Sequence, residues 1–149
     1  MDLFDGLEEY QQTPKNPEFN RQEAFIAIAF AIIAADGQIA DDEQQELALS
    51  MIRMKLFRDM TPGQFKEALY KIYATLNEEG VDFLIEAARQ ALTPDLRETA
   101  FFFAVDLSLS DKVLDNSEKE MLGQMQQILE IDAGMARKII EVAMIKNRS

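Results

Sequence analysis

Residues 24–47 read AFIAIAFAIIAADGQIADDEQQEL, and the fold turns on this stretch. From Ala24 to Ala35 no residue is polar, so a helix over this run has no face to offer water and must be surrounded by other helices. The run is 12 residues long, short of the roughly 20 that a membrane span requires, and it stops at Asp36-Gly37. Gly37 supplies the left-handed residue that closes such a helix. Ile39 then points one apolar side chain inward, and Asp41, Asp42 and Glu43 open the next helix. Residues 100–122, AFFFAVDLSLSDKVLDNSEKEML, repeat the pattern. Asp111 stands 75 positions after Asp36, Leu114 corresponds to Ile39, Glu118 to Glu43, and Lys112 takes the place of Gly37.

Working outward, residues 1–16 read as an N-terminal arm with Leu3, Phe4 and Leu7 on one side, and residues 17–149 as one helical domain. Asn16-Pro17 combines a capping residue with proline at the first helical position, which predicts a first helix from Pro17 to Ala35. A second is expected from about Asp41, with Leu47, Met51, Ile52, Met54 and Leu56 on its apolar side. Thr61-Pro62 starts a third, carrying Phe65, Leu69, Ile72, Tyr73 and Leu76 at helical spacing. Gly80 separates it from a fourth, Val81 to Leu92. Thr93-Pro94 opens a fifth, Asp115 a sixth and Asp132 a seventh. No alternating polar–apolar run competes for a strand. The expectation is an all-α, single-domain antiparallel bundle of about seven helices with an internally duplicated helix–Asp-Gly turn–helix unit, the apolar first and fifth helices at its centre.

Composition excludes several functions. The formal net charge of −12 disfavours nucleic acid and anionic membrane and favours basic partners or cations. With no cysteine and no histidine there is no thiolate nucleophile, no imidazole base and no nitrogen or sulfur donor for zinc. No phosphate loop, nucleophile elbow or HExxH is present, and the expectation is a non-enzymatic protein. The acidic start MDLFDGLEEYQQ lacks a basic segment before an apolar run, so a cytoplasmic location is expected.

The carboxylates around the two turns have two readings. In the structural one, Asp36 and Asp111 form Asx turns and Asp115 with Glu118 forms a capping box across the first turn of the sixth helix. In the other, Asp36, Asp42 and Glu43, and Asp106, Asp111, Asp115 and Glu118, hold a cation. Oxygen-only donors suit calcium or magnesium. An EF-hand loop is excluded, because its first and third ligand positions fall on Ile32 and Ala34 in one copy and on Leu107 and Leu109 in the other. Asp106, inside the apolar run FFFAVDL, requires a partner, whether an Arg or Lys, backbone donors or a cation, and of these an arginine is expected.

The paired stretches AFIAIAFAIIAADGQIADDE and AFFFAVDLSLSDKVLDNSE resemble those of the tellurite-resistance TerB family, small bacterial all-helical proteins of about this length. The resemblance spans roughly residues 17–131. It implies a seven-helix fold, a link to stress or metal-anion response, and participation in protein complexes, often near the membrane; it implies no catalytic activity. Two functions follow as expectations: an interaction module within a stress-response complex, or a divalent-cation sensor built on the acidic turns. Met51, Met54, Met121 and Met125 are candidate partner-facing methionines for the first.

Overall fold

Asn20, rather than Asn16, caps the first helix. Its side chain accepts from the Glu23 backbone N–H at 2.8 Å, and Glu23 accepts from the Asn20 N–H at 3.0 Å, a complete capping box. Residues 18–20 are non-helical and α1 spans Arg21–Ala34. The computed structural model describes residues 18–34, 48–109 and 114–148. Gly37, Ile39 and Lys112 lie outside them, as do residues 1–16 and most of the expected second helix.

After a helical stretch at 48–52 and a 3₁₀ turn at Lys55–Phe57 come α2 (Pro62–Glu79), α3 (Val81–Ala91), α4 (Pro94–Leu109), α5 (Asn116–Ile128) and α6 (Ala133–Lys146). No strand occurs among the described residues. The architecture is an all-α bundle.

Most helix starts are set by short-range chemistry. Thr61 and Gln64 form a capping box ahead of Pro62. Asp115 and Glu118 form another for α5, and Asp132 accepts from the Met135 N–H at 3.1 Å to start α6. Gly80 ends α2 and begins α3 at φ 89°, ψ 171°, a conformation open in practice only to glycine. At the end of α5, Glu130 takes the left-handed position at φ 58°. The Ile131 N–H bonds the Gln126 carbonyl and the Glu130 N–H that of Gln127, both at 3.1 Å, which is a Schellman closure.

Packing follows from the apolar run. Every residue from Ala24 to Ile32 is buried, and α1 lies against α2, α3, α4 and α5. Burying each of its Phe and Ile side chains contributes about 1.5–3 kcal/mol, so this helix dominates the core. Phe25 meets Phe57 edge-on at 5.8 Å and Phe103 at 5.7 Å. The fifth expected helix, α4, packs on α1, α5 and α6, with Phe101, Ala104 and Val105 buried. Leu114 packs against the same core. The buried hydroxyls of Thr75 and Ser108 donate to the carbonyls one turn back, at 2.9 Å each, so neither is left unpaired.

The second helix does not run on to Leu56. It closes at residue 52, Met54 is extended, and successive i→i+3 bonds (Met54 to Met51, Phe57 to Met54, Met60 to Phe57) tighten the chain. Two long-range contacts favour this path over a further helical turn: Phe57 is buried against Phe25, and the Gln22 side-chain amide donates to the Leu56 carbonyl at 2.8 Å. In consequence Ile52, expected on the buried side, is 58% exposed. Tyr73 is also mostly exposed, its ring edge-on to Phe30 at the margin of the core.

Candidate interaction surface

The acidic residues separate into distinct structural jobs. Asp106 projects from α4 towards the end of α6, where the Lys146 ammonium meets its two oxygens at 2.9 and 3.0 Å and the Asn147 amide donates at 2.8 Å. The basic partner is therefore a lysine, 40 positions on, instead of the expected arginine. Asn147 also donates to the Ala143 carbonyl, so one side chain closes α6 and holds α4. Asp115 accepts from the Glu118 N–H and the Ser117 hydroxyl, both at 2.8 Å. Glu118, only 2% exposed, turns back to the Asp115 N–H. Asp106 is thus matched to α6 while Asp115 and Glu118 cap α5. Asp36, Asp42, Glu43 and Asp111 lie outside the described residues. Among the described residues no group of three or more carboxylates, histidines or cysteines could hold a metal.

A second charged cluster sits at the α3–α4 corner. The Arg89 guanidinium bonds the Glu86 carboxylate and approaches Glu130 at 3.8 Å. That hydrogen bond, with the charges of Arg89 and Arg97, holds the Glu86 carboxyl below its ordinary value; the same bond, with the charges of Glu86 and Glu130, raises Arg89. Arg97 donates to the carbonyls of Arg89 and Leu92, satisfying the end of α3. These groups are matched to one another and brace a corner.

The methionines named as partner-facing do not face outward. Met51 and Met125 are buried and Met54 and Met121 half-buried, so they fill the core. Exposed apolar side chains occur elsewhere. On α6, Met135, Val142 and Ile145 lie along one side of the helix, away from Ala136 and Ala143, which pack inward. Near the start of α2 a different arrangement forms, and it combines three features.

The first is an apolar cavity of about 140 Å³ lined by Ala48, Met51, Ile52, Phe57, Met60, Thr61, Pro62 and Phe65. Buried Met51 and Phe57 belong to the core beneath, and the 3₁₀ bonds between residues 51 and 60 fix the loop that walls it. The second is exposed apolar surface, with Leu49 66% and Ile52 58% exposed. The third is charge. Residues 48–66 carry Arg53, Lys55, Arg58 and Lys66 against the single carboxylate Asp59, in a chain of net charge −12. Arg53, Lys55 and Arg58 are exposed and make no ion pair among the described residues. Lys66 leans over the Tyr70 ring at 5.9 Å. Sequence reading passed over this region because the apolar spacing was assigned to a helix face; the basic run MIRMKLFR was the available signal.

No protein-family model, curated protein or solved structure matches the chain. None of the described helices is long and apolar enough to cross a membrane. The geometry defines an all-α bundle with an open apolar cavity at the start of α2.

Proposed function

We propose that the chain is a non-enzymatic interaction module, TerB-like in kind, that acts within a cytoplasmic protein complex in the response to stress or to a metal anion such as tellurite. The observation that carries the interaction reading is the cavity at the start of α2 with Leu49 and Ile52 exposed beside it. Isolated surface apolar residues are ordinary, but large side chains adjoining a formed apolar cavity make a place for a partner's side chain. The stress assignment rests on the resemblance of the two paired stretches, and the absence of nucleophile, base and phosphate-loop motifs supports a role without catalysis.

The test is complementation in the organism that carries the gene. Deletion should lower tolerance to tellurite, the wild-type chain should restore it, and Leu49→Asp/Ile52→Asp should not, although that variant keeps its helical spectrum and melting temperature. A deletion strain that tolerates tellurite and other stresses as well as its parent would overturn the stress assignment. Full rescue by the double variant would overturn interaction through this surface.

A further inference from the structure

We infer that the cavity at the start of α2 is filled by the chain's own N-terminal arm, with Phe4 seated in it and Leu3 and Leu7 against Leu49 and Ile52. This deepens the interaction-module reading, on which its regulatory sense rests: a partner entering the same cavity must first displace the arm. Position comes first. Lys71 of α2 donates to the Glu18 carbonyl at 2.7 Å, and its ammonium stands 5.2 Å from the centre of the buried Phe19 ring. Residue 18 is thereby held against α2, six positions beyond Phe65, which lines the cavity. Six helical residues rise about 9 Å. Four residues after Glu18, the Gln22 amide holds the carbonyl of Leu56, the neighbour of the lining residue Phe57.

Length gives the second argument. Phe4 precedes Glu18 by fourteen positions. A tether of that length spans about 20 Å as a coil and about 45 Å when fully extended. The cavity therefore lies well within reach of Phe4. A tether that matches its span raises the local concentration of its end group into the millimolar range, so a contact too weak to hold a free peptide forms within the chain.

The third argument is the match of groups. A dry apolar cavity of about 150 Å³ accommodates a benzene ring, and this one, about 140 Å³, is of that order. The segment MDLFDGLEE carries one aromatic ring, with Leu3 and Leu7 beside it at helical spacing. The cavity likewise adjoins two exposed apolar side chains, Leu49 and Ile52. Asp2, Asp5, Glu8 and Glu9 alternate with these apolar residues and stay in water. Charge does not choose the site, because Glu46, Asp59 and Glu67 stand in sequence among Arg53, Arg58 and Lys66. The apolar fit and the tether carry the placement.

The chain has no cysteine, so a pair introduced into the full-length protein reports proximity without interference. Leu7→Cys is combined with Ile52→Cys in a glutathione buffer, and the disulfide is followed by mass spectrometry. It should form within one chain about tenfold faster than the disulfide of Leu7→Cys with Val142→Cys, whose second position is exposed on α6. Phe4→Ala leaves the tether length unchanged and Ala48→Leu fills the cavity; each should slow the first pair severalfold. Indifference to Phe4→Ala would leave only random encounters of a tethered end and overturn the inference. Indifference to Ala48→Leu at unchanged melting temperature would move Phe4 out of the cavity and overturn it too. Disulfides that form between chains and increase with protein concentration would put the arm on a second copy, against the inference. If Phe4→Ala has no effect while Leu49→Asp/Ile52→Asp still fails to restore tolerance, the arm inference falls and the interaction module stands. If the disulfide behaves as expected while that double variant rescues fully, the arm occupies the cavity and the partner reading falls.

Discussion

Replacing Asp106 by alanine separates the structural use of this carboxylate from a cation-binding one. In the bundle it receives two contacts from Lys146 and one from Asn147, joining α4 to the last turn of α6. A unit-charge pair at about 4 Å is worth about 1 kcal/mol in water and about 4 at an effective dielectric of 20. Lys146 is 58% exposed and Asp106 22%, so solvent screens the pair and the lower figure governs. Adding the charge-assisted bond from Asn147, Asp106→Ala should cost about 1–2 kcal/mol, a fall in melting temperature of about 3–6 °C for a chain of this length. Lys146→Ala should cost less, because Asn147 still serves the carboxylate. The double variant should show a coupling of about 0.5–1 kcal/mol between the two. Thermal melts followed by circular dichroism, in chelator and in millimolar calcium or magnesium at matched ionic strength, check all of this. Strict additivity of the two variants would refute the ion pair. A divalent-dependent stabilisation that vanishes with Asp106→Ala would show that the carboxylate serves a cation instead.

Three further outcomes are expected. Gly80→Ala should destabilise by about 1–3 kcal/mol in denaturant titration through backbone conformation alone, since nothing lies within 4 Å of the added carbon. Glu130→Gly should stabilise by about 0.5–1 kcal/mol, relief of the left-handed strain exceeding the loss of a weak contact with Arg89. The depressed Glu86 carboxyl contributes stability above its ordinary value of 4.5 that is lost as pH falls through its folded value. The melting-temperature gap between wild type and Glu86→Gln should therefore be widest near neutrality and close as pH drops below 4.5.

The helical class and most helix starts could be read from the chain because their causes are local. Thr61 with Gln64, and Asp115 with Glu118, complete their bonds within one turn, so sequence neighbours suffice to predict them. The same logic placed the first start wrongly. Asn16-Pro17 and Asn20 with Glu23 are both valid starts, and the second also lets Lys71 reach the Glu18 carbonyl and Glu23 from α2. Asp106 required a partner on electrostatic grounds, but choosing Lys146 over the arginines needs the path of α6 across α4. The cavity was hidden for a related reason. Residues 51–56 keep helical apolar spacing, and only the distant contacts of Phe57 and Leu56 with α1 draw them into 3₁₀ turns.

The enclosure of Ala24 to Ile32 in α1 has a consequence for the order of events at the ribosome. Its apolar run is synthesised before any of the helices that cover it, and the facing residues of α4 follow some seventy positions later. At translation rates of about 5–20 residues per second, the nascent chain presents this run without its native cover for about 4–15 seconds. A helix that short is marginal in water on its own, so during that interval the segment is neither folded nor shielded. A chaperone that binds uncharged apolar segments therefore has residues 24–35 within reach before any of the helices that cover them has been made.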